Sequence, residues 1–248
     1  MSGGAGLRFP KVIGHRGAAL LAPENTLAGF RKAAELGCRM VEFDVRLSLD
    51  GVPVVFHDDR LERVTDGKGA VGETRFRDLK ALDAGAHFAP ACKGEAIPSL
   101  AEALALLREL GLAFDLELKA EPGRERPLAE AAAAELARLW SPTLPAPLVT
   151  SFQPEALAAF QHLAPAVARG YLVETLPREW RAAVERLGAQ AVICNQRLIS
   201  SEAVRAVKTG GYPLLAYTVN HGERAVELLA RGVDGVISDV PDAIMAAL

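Results

Sequence analysis

The chain has 248 residues, half of them apolar and 24% charged, which is the ordinary composition of a globular protein with an ample core. Its formal net charge of −3 argues against a nucleic-acid-binding protein, because such proteins usually carry a basic patch or a high pI. The first residues lack the apolar stretch of a signal peptide, and no apolar run is long enough to cross a membrane. We therefore expect a cytoplasmic protein without nucleic-acid partners or stable membrane insertion.

Short β-branched runs alternate with Ala- and Leu-rich amphipathic segments, which is the pattern of a parallel α/β sheet. The predicted barrel strands cover residues 11–15, 38–45, 113–119, 147–152, 168–173, 191–195, 213–219 and 235–239. The predicted helices cover residues 26–37, 99–111, 127–140, 155–163, 177–188, 201–211 and 222–232. Eight strands connected in this way close naturally into a TIM (β/α)8 barrel. No linker-like segment divides the chain, so we predict a single domain over residues 1–248.

A further strand, VPVVFHD, follows the second predicted strand with no room for a crossover helix. The dipeptide Asp50-Gly51 is a strong signal for a two-residue hairpin turn. With such a turn, Asp44 lies opposite His57, and the histidine shares a face with Glu42 and Asp44. The turn-rich segment after the hairpin, at about 58–97, is predicted to be a small insertion over the barrel mouth.

The first strand ends in the sequence Gly-His-Arg-Gly, with His15 and Arg16 at its carboxyl end. Catalytic residues of TIM barrels gather at that rim. A histidine beside an arginine there indicates proton transfer next to anion binding, since a guanidinium group matches phosphate oxygens. The alternative is a structural loop with two satisfied polar side chains.

Glu42 and Asp44 share one face of the second strand, and Asp115, Glu117 and Lys119 share one face of the next barrel strand. Inward-pointing carboxylates cannot all stay ionised and unpaired, because burial and like charges oppose ionisation. A divalent cation would resolve this conflict, and a set of hard oxygen ligands favours Mg²⁺ or Ca²⁺ over Zn²⁺. The alternative is a cluster of salt bridges, for example between Glu117 and Lys119.

Two histidines, a rim arginine, a rim lysine and an acidic metal site form a coherent set for phosphodiester cleavage. A metal and Arg16 would bind the non-bridging oxygens and stabilise the charge that grows on them. One histidine would deprotonate the nucleophile, while the other would protonate the departing alkoxide. Because a diester carries a negative charge, three carboxylates without a metal would repel it.

In order and spacing, eight motifs resemble those of the glycerophosphodiester phosphodiesterases of the bacterial cytoplasmic type. They are HRG (15–17), PENT (23–26), EFDV (42–45), DGVPVVFHD (50–58), IPSLAEAL (97–104), LELK (116–119), TSF (150–152) and YTVN (217–220). The resemblance extends from Val12 to about Asp242 and implies a TIM barrel with an insertion after the HD motif. It also implies a set of site residues: metal ligands Glu42, Asp44 and Glu117, acid/base histidines His15 and His57, and phosphate contacts Arg16 and Lys119.

Three further residues complete the predicted site. Tyr217 stands where the family often has Trp, so the aromatic wall is kept but a hydroxyl is added on the glycerol side. Glu24 and Asn25 precede the first helix as supporting residues. Asn25 is either the N-cap of that helix or part of the site, and Glu24 is expected to steady the HRG loop.

The predicted reaction is the metal-dependent hydrolysis of a glycerophosphodiester, a small molecule, to sn-glycerol 3-phosphate and an alcohol. Either histidine can be the acid, and both Mg²⁺ and Ca²⁺ suit the ligands. The alternative is phospholipase D-like hydrolysis of lysophospholipids on the same scaffold. That activity would favour an apolar groove in the insertion, whereas residues 60–91 are polar with scattered Leu, Val and Phe. A non-catalytic barrel would be expected to have lost a histidine or a carboxylate.

Overall fold

Eight parallel strands form a closed barrel in the computed structural model, which describes residues 6–248. They are β1 (Val12–His15), β2 (Met40–Leu47), β4 (Ala113–Leu118), β5 (Leu148–Ser151), β6 (Ala168–Val173), β7 (Ala191–Asn195), β8 (Leu214–Tyr217) and β9 (Gly235–Ser238). Each pairs in parallel with its neighbour, and the pairing of β1 with both β2 and β9 closes the ring. A short strand, β3 (Pro53–Val55), pairs antiparallel with β2 outside the ring. The predicted TIM barrel is confirmed.

The connecting helices lie outside the barrel: α1 (Leu27–Glu35), α3 (Leu100–Leu110), α4 (Glu125–Leu139), α5 (Pro154–Leu163), α6 (Trp180–Arg186), α7 (Ser201–Thr209), α8 (Gly222–Ala230) and α9 (Pro241–Ala247). Helix α3 shows how local sequence fixes the boundaries. Ser99 and Glu102 form a reciprocal capping box at its start, and Gly111 ends it in the left-handed conformation at φ 64°. No helix in residues 6–248 is long and apolar enough to cross a membrane.

Apolar side chains fill the barrel interior below the mouth. Nine buried residues form this cluster: Ile13, Met40, Leu148, Ala168, Leu172, Ala191, Ile193, Leu215 and Ile237. Full burial of a large aliphatic side chain contributes roughly 1.5–3 kcal/mol to folding. The packed lower layers therefore hold the strands rigidly, and the polar residues of the same strands lie at the carboxyl-terminal rim.

The hairpin of β2 and β3 differs from the predicted register by one residue. Val45 pairs with Val55, and the amide of Phe56 donates to the carbonyl of Asp44 at 3.0 Å. Asp44 therefore lies opposite Phe56, and the predicted pairing of Asp44 with His57 is wrong. Strand pairing ends at Val55, so His57 lies beyond the ladder.

The turn explains this error, because it is a three-residue loop and not a two-residue Asp-Gly turn. The amide of Ser48 donates to the carbonyl of Val52 at 3.0 Å, and Gly51 adopts φ 82°, as in a type I turn followed by a bulge. The side chain of Asp50 accepts hydrogen bonds from the Ser48 hydroxyl and the Phe76 amide, both at 2.8 Å. The local contact with Ser48 and the tertiary contact with Phe76 favour the longer loop.

The segment between β3 and α3 contains the short helix α2 (Phe76–Lys80) and two 3-10 turns, Val71–Glu73 and Pro90–Cys92. It is organised around a hydrophobic cluster of its own, separate from the barrel interior. The buried members are Val54, Phe56, Leu61, Val64, Val71, Leu79, Ala84 and Ile97. The predicted insertion is thus a packed substructure beside the barrel mouth.

Candidate active site at the barrel mouth

Four carboxylates form a buried layer on β2 and β4. Glu42 is in register with Asp115 and Asp44 with Glu117, so the four side chains occupy two adjacent rows. Burial, followed by the neighbouring carboxylates, raises the pKa of Glu42 well above its usual range and that of Glu117 to about 7. Burial also raises the pKa of Asp115 to about 8, despite a hydrogen bond from Thr150. The layer is therefore short of positive charge.

Three of these carboxylates can share one cation. Glu42, Asp44 and Glu117 each offer an oxygen, and these oxygens lie within 4.8 Å of one another. Asp115 instead accepts a hydrogen bond from the Thr150 hydroxyl at 2.8 Å. The three predicted metal ligands are thus brought together, and a set of buried carboxylate oxygens suits a hard divalent ion.

Two cationic side chains border this cluster. The ammonium group of Lys119 lies 3.1 Å from Glu117 Oε1 and 3.7 Å from Asp44 Oδ1. The guanidinium group of Arg16 lies 3.4 Å from Asp44 Oδ2, through Nε. That buried Nε has no aligned hydrogen-bond partner in residues 6–248 and can therefore donate to an added anion. Burial alone would raise the pKa of Asp44, but Arg16, His57 and Lys119 lower it to about 2.

The backbone of Arg16 is held in a rarely used conformation. Its φ is 49°, in the left-handed region, and such a non-glycine residue costs on the order of 1–3 kcal/mol. Its amide donates to Glu42 Oε2 at 3.1 Å. At Gly14, a Cβ atom would lie 2.0 Å from the carbonyl oxygen of Gly17, so only glycine permits this tight turn. The turn directs both His15 and Arg16 toward the carboxylates.

His15 is oriented by a carboxylate from the opposite end of the chain. Its Nδ1 lies 2.5 Å from Asp239 Oδ1, while its Nε2 lies 3.7 Å from Glu42 Oε2. Asp239 in turn accepts a hydrogen bond from the Asn220 side chain at 2.6 Å. Burial alone would raise the pKa of Asp239, but His15 and Asn220 lower it. A proton on Nδ1 therefore bonds Asp239 and leaves Nε2 facing the mouth.

His57 has a similar arrangement on the other side of the mouth. Its Nδ1 lies 2.6 Å from Asp58 Oδ1, and its carbonyl accepts a hydrogen bond from Arg46 Nε at 2.8 Å. Burial, followed by Arg16 and Lys119, lowers the pKa of His57 against the opposing effects of Asp44 and Asp58. The ring reaches the mouth although it lies beyond the β-ladder.

A cavity of about 300 Å³ joins most of the predicted residues. Its lining includes His15, Arg16, Glu42, His57, Glu117, Lys119 and Tyr217. A second cavity of about 500 Å³ opens beside it and shares Glu117, Lys119 and Phe152 with the first. The ring of Phe152 meets Tyr217 edge to face, with centroids 5.9 Å apart. The barrel mouth therefore combines two oriented imidazoles, two cations, a carboxylate cluster and an aromatic wall.

Comparison with known proteins identifies the class of this site. Residues 15–243 match the Glycerophosphoryl diester phosphodiesterase family. The chain belongs to this family. A glycerophosphodiester phosphodiesterase of Caldanaerobacter subterraneus subsp. tengcongensis is 33% identical over 239 residues, which cover 94% of this chain and 96% of the relative. The chain is thus an enzyme, a phosphodiesterase of the hydrolase class.

Solved structures agree with the family assignment. A phosphodiesterase from Oleispira antarctica, determined in complex with the product sn-glycerol-3-phosphate, is 39% identical with a TM-score of 0.94 and covers 96% of each chain. A glycerophosphodiester phosphodiesterase from Agrobacterium tumefaciens is 28% identical with a TM-score of 0.82, over 96% of this chain and 100% of the other. These similarities support hydrolysis of a small glycerophosphodiester.

The two supporting residues, Asn25 and Glu24, bind different parts of the site. Thr26, not Asn25, is the N-cap of α1, since its hydroxyl accepts from the Gly29 amide. Asn25 is buried at φ 56°, and its amide group donates to Asp44 Oδ2 at 2.9 Å and accepts from the Asp44 amide at 3.3 Å. Glu24 accepts a hydrogen bond from Arg16 at 2.8 Å, as expected of a residue that steadies the HRG loop.

The hydroxyl of Tyr217 is not free in the cavity. It donates to the carbonyl of Val173 at 3.2 Å, and burial raises the pKa of the phenol. The residue therefore contributes an aromatic surface, while its hydroxyl bonds to the end of β6, two strands away in the barrel.

Four residues at the mouth were not singled out as site residues from the sequence: Asp58, Arg63, Asp239 and Asn220. Asp239 and Asn220 follow the last two barrel strands, at the rim where catalytic groups gather, and this position was the available signal. Asp58 directly follows His57 in the HD motif. Arg63 belongs to the insertion, and nothing in its local sequence indicates which carboxylates it meets.

Proposed function

We propose that this enzyme hydrolyses glycerophosphodiesters to sn-glycerol 3-phosphate and an alcohol, with a divalent cation and two acid/base histidines. The observation that carries the proposal is the clustered oxygens of Glu42, Asp44 and Glu117, within 4.8 Å of one another, in a mouth bordered by His15 and His57. A phosphodiester needs charge neutralisation at its oxygens and two proton transfers, and this mouth offers groups for both. The complex of the Oleispira antarctica relative supports sn-glycerol 3-phosphate as the product.

The carboxylate cluster fits Mg²⁺ or Ca²⁺, because both prefer hard oxygen ligands. The bound ion would neutralise charge on the non-bridging phosphate oxygens. Arg16 and Lys119 are proposed to contact the same phosphate from the protein side. The buried Nε of Arg16 supports this role, since the Asp44 oxygen 3.4 Å away is not aligned to accept its hydrogen bond and a phosphate oxygen could do so.

The histidines are proposed to act through Nε2, since each presents Nδ1 to an aspartate. A neutral imidazole with its proton on Nδ1 can accept a proton at Nε2 from the attacking nucleophile. A protonated imidazole can donate from Nε2 to the oxygen of the departing alcohol. The two aspartates hold these ring orientations throughout the exchange.

The glycerol moiety is proposed to pack against Tyr217 and Phe152, the aromatic wall of the smaller cavity. The neighbouring cavity, which shares Glu117 and Lys119 with it, gives room for the alcohol that leaves. We also propose that the chain forms one domain over residues 1–248, of which residues 1–5 lie outside the described part of the structure. The cytoplasmic location and the absence of nucleic-acid partners remain predictions from the sequence.

Hydrolysis of lysophospholipids is not favoured by the insertion. Its large apolar side chains, including Leu61, Val64, Val71 and Leu79, are buried in its own cluster and offer no groove for an acyl chain. Within the insertion, Phe88 is a large hydrophobic residue with an exposed side chain, and it is 37% exposed. The buried side chains of the cluster are therefore not available to contact the tail of a lysophospholipid.

A coupled assay for glycerol 3-phosphate tests the proposal. Purified enzyme is incubated with glycerophosphodiesters of several head groups, with EDTA, and after addition of Mg²⁺, Ca²⁺ or Zn²⁺. We expect glycerol 3-phosphate from these substrates, loss of turnover in EDTA, and recovery with Mg²⁺ or Ca²⁺. Full turnover in excess EDTA, or recovery with Zn²⁺ alone, would contradict the hard-metal assignment. Release of the head group with lysophospholipids alone would replace the proposed substrate.

A further inference from the structure

Arg63, in the insertion, binds two carboxylates at once. Its Nη1 and Nη2 donate to the two oxygens of Glu24 at 2.8 and 2.7 Å. Its Nε and Nη2 donate to the two oxygens of Asp58 at 2.6 and 3.0 Å. The guanidinium group therefore forms a bidentate pair on each of two edges, which is the arrangement that its planar set of donors matches best.

Each of these carboxylates also holds a residue proposed to act on the substrate. Glu24 Oε1 accepts a hydrogen bond from Arg16 Nη1 at 2.8 Å, and Asp58 Oδ1 lies 2.6 Å from His57 Nδ1. The contacts thus form a continuous chain from Arg16 through Glu24, Arg63 and Asp58 to His57. Side chains from four separate segments, the HRG loop, the PENT motif, the HD motif and the insertion, meet in this network.

We infer that Arg63 is a positioning residue that fixes the phosphate-binding Arg16 and the imidazole of His57 relative to each other. The inference deepens the proposed function, on which the roles of Arg16 and His57 rest. It gives the insertion a specific task, because Arg63 is the insertion residue that contacts both Glu24 and Asp58.

An ordinary surface salt bridge would contribute little, since exposed pairs are worth about 0–1 kcal/mol. Arg63 differs from such a pair in two ways. It forms a bidentate pair with each partner, and the side chains of those partners, Glu24 and Asp58, are only 14% and 24% exposed. A lysine at this position would keep the charge, but its single ammonium group cannot form bidentate pairs with both carboxylates. Charge and geometry can therefore be separated by substitution.

The charge of Arg63 also bears on His57. The charged groups that face this histidine are Asp44, Arg16, Lys119 and Asp58, and Arg63 balances the last of these. Loss of the guanidinium would leave Asp58 unbalanced next to the ring, which favours the imidazolium form. In Arg63→Gln the pKa of His57 should rise, whereas in Arg63→Lys it should change less.

The test compares Arg63→Gln and Arg63→Lys with a matched control, Arg60→Gln. Arg60 is a neighbouring arginine of the same segment that pairs with Glu62, and its side chain is 66% exposed. Misplacement of a catalytic group by about 1 Å can cost about 10²-fold, so we expect kcat to fall about 10²-fold in both Arg63 variants. KM should change less than kcat, and Arg60→Gln should behave like the wild type. Thermal unfolding shows whether each variant is folded.

A second readout does not depend on turnover. The chain has five histidines, so NMR titration of their ring signals can follow His57, assigned with a His57→Gln variant. The expected result is an upward shift of the His57 pKa in Arg63→Gln and little change in Arg60→Gln. Folded Arg63 variants with wild-type kcat and an unmoved His57 titration would overturn the inference. Absence of diesterase activity in the wild type would instead overturn the proposed function, while the titration would still report on the contact.

Discussion

Replacing Asp239 by asparagine is expected to invert the tautomer of His15 without changing the shape of the side chain. Asn220 donates to one oxygen of Asp239 at 2.6 Å, and His15 donates to the other. The Asn220 amide cannot easily turn, because its oxygen accepts from the Asp239 amide at 2.9 Å and from the Ser238 hydroxyl at 3.2 Å. The new asparagine must therefore place its oxygen toward Asn220 and its NH₂ toward His15.

An NH₂ group opposite Nδ1 forces the His15 proton onto Nε2. The nitrogen that faces the mouth then has no lone pair to accept a proton, and the carboxylate that stabilised an imidazolium through Nδ1 is lost. Both the base and the acid role of His15 are weakened. General acid/base catalysis contributes about 10²–10⁴-fold, so the expected loss of kcat spans that range, or about 3–5 kcal/mol in barrier height.

The assay is steady-state glycerol 3-phosphate release, with Asp234→Asn as the matched control. Asp234 lies at the other end of β9, where it pairs with Lys208 at 2.6 Å, so the same chemical change there should leave kcat unaltered. A double variant, Asp239→Asn with Asn220→Asp, lets the new asparagine donate to residue 220 and accept from His15. It should recover part of the lost turnover. Wild-type kcat in folded Asp239→Asn, or no recovery in the double variant, would refute the tautomer argument.

Three further predictions concern the same mouth. Glu117→Gln should keep the fold but lose cation affinity, measured by titration calorimetry with Mg²⁺ and Ca²⁺, because it removes one of three clustered carboxylates. His57→Ala should lose about 10²–10⁴-fold in kcat. If His57 is the acid, a nitrophenyl diester, whose alcohol leaves easily, should restore much of that loss. Burial alone would raise the pKa of Asp58, but Arg63 and His57 hold it below its usual range. The ionised carboxylate of Asp58 therefore stabilises the fold when the pH is above about 3.9, the pKa of an aspartate in the unfolded chain. This stabilisation is lost as the pH falls below that value and the carboxylate becomes protonated. Urea unfolding of Asp58→Asn should accordingly show a smaller acid-induced loss than the wild type.

Strand periodicity predicted the barrel and the carboxylate layer. Glu42 and Asp44 on β2, and Asp115 and Glu117 on β4, alternate with fully buried residues, and the observed register places them side by side. Such patterns depend on the local period of a strand, which one sequence displays directly. The barrel strands were located to within about two residues for the same reason, with boundaries fixed by turns that the sequence marks.

The errors and omissions depend on contacts between distant segments. The hairpin register follows from Asp50 accepting the amide of Phe76, which the dipeptide Asp-Gly does not reveal. The partner of His15 is Asp239, 224 positions away along the chain. Asn25 precedes a helix, as an N-cap does, yet its side chain serves Asp44 while Thr26 caps the helix. Local preference and tertiary role differ at these positions, and only the fold decides between them.

Strands β2 and β4 show how charge is balanced at the barrel mouth. Along β2 the inward residues change from Met40 to Glu42 and Asp44, and β4 follows the same course from Ala113 to Asp115 and Glu117, with Lys119 at its end. Burial raises the pKa of Asp115 to about 8, so we count this residue as neutral, whereas the three clustered carboxylates would be ionised as ligands of a cation. Set against Arg16 and Lys119, these three ionised carboxylates leave one negative charge. A bound divalent cation would turn this into one positive charge, which equals the single negative charge of a phosphodiester. The carboxylates that repel the substrate in the absence of the ion would then be neutralised, and binding of ion and substrate should be mutually favourable. An ion that raises the affinity for product by some factor must have its own affinity raised by the same factor.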